Sequence, residues 1–246
     1  MSDLKRRGAI VTGASQGIGA AVARRLGRDG FAVAVNYRKG RDDAEQVVRA
    51  IEGDGGRAIA LQADIGDPTG AAALFDQAGR ALGGIDVVVN NAGTMVLGPM
   101  ADVTDADLDR QVSLNMAGAF RVMREAARTL QPGGRIVNLS SSVVGLYQPG
   151  YGVYAATKAA VEAMTHVLAK ELGQKGITVN AVAPGPVETR LFLQGKSADQ
   201  VAAIAGLNPF GRLGRPEDIA AAVAWLCGSD GAWINGQVIR ANGGVV

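Results

Sequence analysis

Tyr154 and Lys158 stand four residues apart in the stretch GVYAATK, residues 152–158, at the start of a run with helical spacing. On a helix that offset puts a phenol and an ammonium on one face, one turn apart. A free tyrosine ionises near pH 10, about three units too high for efficient proton exchange at neutral pH. A neighbouring ammonium favours the phenolate and should lower that value. No other tyrosine in the stretch has this partner, since Tyr147 has Tyr151 at the same offset and Tyr151 has Ala155. Three serines, Ser140, Ser141 and Ser142, end an apolar run just upstream and are separated from the tyrosine by a loop containing Gly and Pro. The pair is an acid–base group; the remaining chain has to hold it and give it something to act on.

The elements that could hold it alternate along the whole sequence. Short buried strands are expected at residues 9–12, 32–37, 58–62, 87–90, 135–139, 178–183 and 238–241. Helical patterns lie between them at 17–29, 42–52, 68–82, 107–129 (interrupted by Gly118), 152–174 and 216–227, with Pro68 placed in the first turn of its helix. Strict alternation with short connections predicts an α/β chain: one parallel, doubly wound Rossmann sheet of about seven strands with helices on both faces, a single domain over residues 1–246. Such sheets bind ligands beyond the carboxyl ends of their strands. Gly13, Gly17 and Gly19 follow the first strand, Asp64 the third, Asn91 and Gly93 the fourth, the serines the fifth and Pro184-Gly185 the sixth, so all share that edge. The stretch 188–208 is a polar–apolar insert with Gly195 and Gly206 as candidate hinges, and it reads as a lid over the substrate.

Composition excludes several other functions. The formal charge is +2, from 25 basic and 23 acidic residues, which gives no electrostatic case for nucleic acid or an anionic membrane. Aromatics at 4% are too few for base-stacking platforms. No apolar run approaches a membrane span, and the N-terminal MSDLKRRG has no secretory apolar region. Cys227 is the only cysteine and lies in an apolar run, so it reads as a buried small hydrophobe in a reducing, cytoplasmic setting. His166 is the only histidine, so no His/Cys metal site is expected.

Residues 12–19, TGASQGIG, join the first strand to the first helix. Glycines there let the backbone turn and approach a pyrophosphate, and a helix N-terminus favours its charge. A merely tight turn is the alternative. Where dinucleotide folds place an acid for the adenosine ribose of NAD, this chain reads Asn36-Tyr37-Arg38-Lys39. Two cations without a carboxylate suit the 2′-phosphate of NADP, which predicts NADP(H) over NAD(H), with NAD(H) as a possible second cofactor; ordinary solvated loop charges are the competing reading. Asp64 is placed to accept from the adenine amino group or to cap the following helix.

Together these residues resemble the main, single-domain group of the short-chain dehydrogenase/reductase family. The matching motifs are Thr12-Gly13-(x)3-Gly17-x-Gly19, Asn90-Asn91-Ala92-Gly93, Asn115, a serine after the fifth strand, Tyr154-(x)3-Lys158, and Pro184-Gly185 followed by Thr189. They run in order through essentially the whole chain. Softer features, including residues 212–218 (RLGRPED) and the Asn242-Gly243-Gly244 ending, resemble the 3-oxoacyl-[acyl-carrier-protein] reductase-like branch, although Arg240 stands where those enzymes often have a neutral residue.

The resemblance implies hydride transfer between a nicotinamide and a carbonyl carbon. It makes Tyr154 the proton donor in reduction, Lys158 also a ligand of the nicotinamide ribose, and Asn115 the holder of a water that links Lys158 to solvent. The serine that polarises the carbonyl is Ser141 on spacing, thirteen residues before Tyr154, with Ser140 and Ser142 left as alternatives. The implied cofactor cradle is Gly13, Ser15, Gln16, Gly17, Ile18, Gly19, Asn36, Tyr37, Arg38, Lys39, Asp64, Ile65, Asn91, Ala92, Gly93, Pro184, Gly185, Val187 and Thr189. The leading reading is an NADPH-dependent carbonyl reductase, extending to 3-oxoacyl thioesters. A dehydrogenase of another secondary alcohol and a non-catalytic nucleotide-sensing scaffold are the rivals. Leu191, Phe192 and Leu193 fit a partly hydrophobic substrate or a neighbouring subunit, and family relatives imply a homotetramer, with the apolar tail 243–246 buried at an interface.

Overall fold

The computed structural model describes residues 7–246. Seven strands form one fully parallel sheet: β1 (Gly8–Val11), β2 (Ala32–Tyr37), β3 (Arg57–Gln62), β4 (Val87–Asn90), β5 (Arg135–Leu139), β6 (Thr178–Pro184) and β7 (Val238–Ala241). Their order is β3-β2-β1-β4-β5-β6-β7, so the direction of winding reverses between β1 and β4. The register pairs Val11 with Val89 across that reversal and Asn90 with Asn138 one strand further on. This is the crevice where a doubly wound sheet presents its ligand site.

The central strands are buried throughout and rich in Val, Ile and Ala because both faces are covered. Successive side chains point to opposite faces. Val11, Val33 and Val89 therefore pack on one side, against α1 (Gly17–Arg28), α2 (Arg41–Gly53) and α10 (Pro216–Cys227). Ile10, Ala34 and Val88 pack on the other, against α3 (Gly70–Leu82), α5 (Ala119–Thr129) and α7 (Gly152–Leu172). Cys227 is fully buried in the first of these cores, where desolvation pushes its thiol up to about 12, and it is inert packing. His166 is exposed on α7.

Three local expectations need correction. Pro68 lies outside its helix: α3 begins at Gly70, after Asp67 Oδ1 accepts from the Thr69 amide at 2.8 Å and closes the turn. The long helix at 107–129 begins earlier and changes character in the middle. It runs as α4 (Asp105–Gln111), one π-helical segment (Val112–Gly118) and then α5. Thr104 caps its start by accepting from the Asp107 amide. The loop after the serines begins with a turn of helix, α6 (Val143–Leu146). The insert, expected to be helical in part, does fold so, as α8 (Arg190–Leu193) and α9 (Ala198–Gly206). The N-terminal reading of residues 1–6 lies outside the described residues.

Candidate active site

The glycine turn is fixed by contacts that leave no room for side chains. Gly13 has φ +61, and a Cβ on it would stand 2.9 Å from the Ala92 backbone. A Cβ on Gly19 would stand 2.5 Å from both Asn91 Nδ2 and Gly13 O. Asn91 explains this crowding, because its Nδ2 donates to Thr12 O (2.8 Å) and Gly13 O (3.1 Å) and its amide to Thr12 Oγ1 (2.9 Å), tying β4 to the turn. Asn36 anchors the same turn from the other side. Its Oδ1 accepts from Gly13 N at 3.2 Å while its Nδ2 donates to Leu61 O and Ala63 O.

Gly17 differs from these two. Its φ is +58, but the nearest atom to a Cβ there is the Thr189 methyl at 3.4 Å. The open side of Gly17 faces a groove of about 330 Å³ lined by Ser15, Gln16, Tyr37, Arg38, Lys39, Asp64, Ile65 and Ala92. Gln16 precedes α1 without a side-chain cap, and the first turn of α1 carries no acid. The orphan amides of that helix end, together with the open glycine, fit a pyrophosphate.

Arg38 and Lys39 are exposed at the far end of this groove. Arg38 Nη1 lies 3.5 Å from Asp64 Oδ2, a solvent-exposed pair of the kind that contributes ~1 kcal/mol or less and yields easily to a ligand. Asp64 does not cap α3. Its Oδ1 accepts from Gly66 N at 2.9 Å and closes its own turn.

The serine run resolves by chemistry. Ser140 is buried and its hydroxyl donates to Glu162 Oε1 at 2.5 Å. Ser142 is buried, donates to Ala183 O at 3.1 Å and accepts from Asn242 Nδ2 at 3.0 Å. Ser141 Oγ accepts only one long bond, from Val143 N at 3.4 Å, and its proton is spent on no structural acceptor. Its hydroxyl hydrogen-bonds the Tyr154 phenol, and both line a cavity of about 200 Å³. The cavity walls are mainly apolar and include Met95, Leu146, Phe192, Ile204, Leu207 and Val245. Ile18, Asn91, Gly93, Thr189 and Leu191 line both this cavity and the glycine groove, so the two are continuous.

Lys158 is buried beside Tyr154, with Nζ 5.8 Å from the phenol ring centroid and 2.8 Å from Leu139 O. The expected electrostatics are reversed in this state. Burial pushes the Tyr154 phenol up to about 12, outweighing the downward pull of the Ser141 hydrogen bond. Burial also brings the Lys158 ammonium down to about 8. Desolvation of the phenol wins because the ammonium, held on Leu139 O, lies 5.8 Å from the ring centroid. At neutral pH the pair is therefore phenol and ammonium, the protonated form that a proton donor requires.

Asn115 lies at the centre of the π-helical segment, nearly fully buried. Its Oδ1 accepts from Thr94 N (2.8 Å), and its Nδ2 donates to Thr94 O (2.8 Å) and Thr157 Oγ1 (3.2 Å). The side chain thus locks the 94–96 loop to α7 next to Lys158. Gly93 lies against the same pair: a Cβ there would be 3.3 Å from Asn115 Oδ1 and 3.6 Å from Lys158 Nζ. A π turn inside an α-helix commonly marks a functional site, and no local sequence signal announced this one.

Pro184, Gly185 and Val187 close the cavity after β6, with Pro184 O accepting from Ser142 N at 2.9 Å. Thr189 Oγ1 accepts from Phe192 N and caps α8. The sequence reading missed Tyr151, Leu207 and Val245 as cavity residues. The apolar tail was the one available signal for Val245, and it turns back onto its own chain: Val246 O accepts from Asn242 Nδ2 at 3.1 Å. Among the described residues no cluster of three His, Cys, Asp or Glu side chains could hold a metal, and no helix is long and apolar enough to cross a membrane.

A family model described as Enoyl-(Acyl carrier protein) reductase matches residues 13–246. The chain belongs to the short-chain dehydrogenase/reductase family. A short-chain type dehydrogenase/reductase of Picea abies is 46% identical over 250 residues, covering 98% of this chain and 92% of its own. An NADPH-dependent aldehyde reductase-like chloroplastic protein of Arabidopsis thaliana is 43% identical over 259 residues, covering 99% and 95%. A crystal structure of a Burkholderia cenocepacia short-chain dehydrogenase in complex with NADP superposes with a TM-score of 0.92 at 41% identity, covering 98% of each chain. Membership makes the protein an oxidoreductase acting between CH–OH and C=O groups.

Proposed function

We propose that this protein is an NADPH-dependent reductase of a moderately hydrophobic aldehyde or ketone. One observation carries the reading: a protonated Tyr154, hydrogen-bonded to Ser141, stands where an apolar cavity opens into a glycine groove ending in two cations. The NADPH dependence in the name of the Arabidopsis relative and the NADP in the Burkholderia complex support the choice of cofactor. The amides of the turn around Gly17 and the N-terminus of α1 hold the pyrophosphate, Arg38 and Lys39 the 2′-phosphate, and Lys158 the nicotinamide ribose. When bound, the cofactor supplies the hydride that reduces the carbonyl carbon.

The chain's own residues do the remaining work. The Ser141 hydroxyl donates to the carbonyl oxygen and polarises it. Tyr154 transfers its phenolic proton to that oxygen as negative charge develops there. A phenol held near 12 remains a far stronger acid than the alcohol being formed, so the transfer runs downhill. Lys158, still charged at neutral pH, stabilises the phenolate left behind. Asn115 holds the Thr94 loop and α7 in register and so fixes the floor of the site. The stretch 188–208, carrying Leu191, Phe192 and Ile204, covers the substrate and excludes water.

The apolar cavity accommodates an acyl chain, so a 3-oxoacyl thioester belongs among the candidate substrates. We place the protein in a reducing compartment such as the cytoplasm, as a homotetramer. Exposed Met116, Phe120 and Val167 on one side and Trp225 and Trp233 on another supply apolar contact surface for it. Light scattering should give four copies, and a monomer would overturn that assignment. The function is tested by following NADPH oxidation against aldehydes, aliphatic and aromatic ketones and 3-oxoacyl thioesters, with NADH in parallel. Activity on the apolar carbonyls with NADPH is expected; no turnover across the panel would refute it.

A further inference from the structure

Asn242 joins three separate walls of the site, two through its side-chain amide and one through its main-chain carbonyl. Asn242, 8% exposed, directly follows β7. Its Oδ1 accepts from Gly244 N at 2.9 Å, which fixes the oxygen end of the amide. Its Nδ2 then donates twice, to Ser142 Oγ at 3.0 Å and to Val246 O at 3.1 Å. Its carbonyl accepts from Asn208 Nδ2 at 2.8 Å, and Asn208 lies just beyond α9 at the base of the 188–208 stretch. The junction has no slack. A Cβ on Gly185 would stand 2.9 Å from Asn242 Cβ, and one on Gly243 2.7 Å from the Asn208 amide.

The three partners hold different parts of the cavity. Ser142 is the residue next to Ser141, with its amide on Pro184 O. Val245 lies between the two residues bridged by the Asn242–Val246 bond and lines the cavity itself. Asn208 follows Leu207, which also lines the cavity. Displacing the Ser142 side chain moves Ser141 with it, and misplacement of a polarising hydroxyl by about 1 Å is enough to cost on the order of a hundredfold in rate.

We propose that Asn242 and Asn208 form a latch that sets the pose of Ser141 and the Val245–Leu207 wall together, so that Asn242 is a positioning residue for carbonyl reduction and for substrate size. The inference rests on the reductase reading. A carboxylate at position 242 could keep the bond from Gly244 but could donate to neither Ser142 nor Val246. Asn242→Asp therefore breaks the bonds to Ser142 and Val246 and keeps the local turn, Asn242→Ala removes both, and the Asn208 bond to the main-chain carbonyl of residue 242 remains in either.

The test uses the full-length chain with Asn208→Ala, Asn242→Asp, Asn242→Ala and the Asn208→Ala/Asn242→Asp double variant. Asn208 touches no serine, yet Asn208→Ala should lower kcat about tenfold, by loss of the part-buried bond to Asn242 O, alongside the exposed local bond from Phe210 N. The double variant should be no worse than about the poorer single one, because both break one latch. The dissociation constant for NADPH should stay unchanged throughout, and the preference for bulky over small ketones should shift. Amide hydrogen exchange gives a readout without turnover: Asn208→Ala should accelerate exchange in residues 143–147 as well as 198–207. Unchanged kcat in Asn208→Ala, additive losses, or exchange confined to 206–210 would overturn the latch. Coupled exchange in a protein that reduces no carbonyl would sink the reductase reading and leave the latch standing.

Discussion

Replacing Lys158 by Met should produce an inactive protein that is more stable than the parent. Lys158 is buried and holds its ammonium near 8, against 10.5 for the unperturbed group. At about 1.4 kcal/mol per pH unit, that gap corresponds to roughly 3 kcal/mol of destabilisation at pH 7, where the lysine is charged in both states. Methionine has similar length and no charge to desolvate. The substitution also removes the donor to Leu139 O, and an orphaned buried carbonyl costs about 1–3 kcal/mol. The net gain should be about 1–2 kcal/mol, raising Tm by roughly 2–6 °C for a chain of this size.

The pH dependence of that gain carries the argument. Between pH 8 and 10.5 the unfolded chain keeps the lysine proton while the folded chain has released it. Stability of the parent therefore rises with pH across that window relative to the variant. The advantage of Lys158→Met should be full below pH 8 and should shrink to nothing, or reverse, by about pH 10.5. Tyr154 and Cys227 titrate in both proteins and cancel in the difference. The assay is thermal unfolding of parent and variant without cofactor at pH 7, 9 and 10.5. A variant less stable than the parent at pH 7, or an advantage independent of pH, would refute the claim that the site holds a desolvated charge.

Ser141→Ala should cut kcat by at least about tenfold with the fold intact. Ser140→Ala should act mainly on stability, since its hydroxyl is spent on Glu162, whereas Ser142→Ala loses the bond from Asn242 and should lower kcat as the latch variants do; full activity in Ser141→Ala would remove it from the site. Arg38→Ala with Lys39→Ala should raise the KM for NADPH about tenfold or more and leave that for NADH nearly unchanged, and equal effects on both would show that the cations are ordinary loop charges. Gly19→Ala should destabilise by about 1–3 kcal/mol through overpacking against Asn91 and Gly13. Gly17→Ala, whose Cβ would make only ordinary contact with Thr189, should cost only about 1 kcal/mol of left-handed backbone strain yet abolish cofactor binding. Calorimetry and cofactor titration separate these two glycines.

The sheet was legible because each central strand is a short, mostly aliphatic run, and Thr12, Asn91, Ser140 and Gly185 follow directly at the ends of these runs. Chain order then placed those ends along one edge. What escaped depends on distant partners. The three serines have near-identical sequence contexts, and their roles separate only through Glu162, 22 residues from Ser140, and Asn242, 100 residues from Ser142. The π turn around Asn115 has no local signature, since it arises where Gly118 packs against the Ile65 carbonyl and the Asn115 amide reaches Thr94. The sign of the Tyr154 shift was misjudged because an i,i+4 spacing reports proximity and says nothing of burial. The substrate wall was incomplete because Val245 reaches it by a turn back from β7.

Tyr154→Phe tests the central claim most directly, by removing one hydroxyl oxygen from the cavity. With the carbonyl that turns over best in the panel, kcat should fall by at least about two orders of magnitude, the usual contribution of a positioned proton donor. NADPH binding, followed by nucleotide fluorescence, should remain close to that of the parent. A Tyr154→Phe protein that reduces the same carbonyl at more than about a tenth of the parental rate would contradict the account.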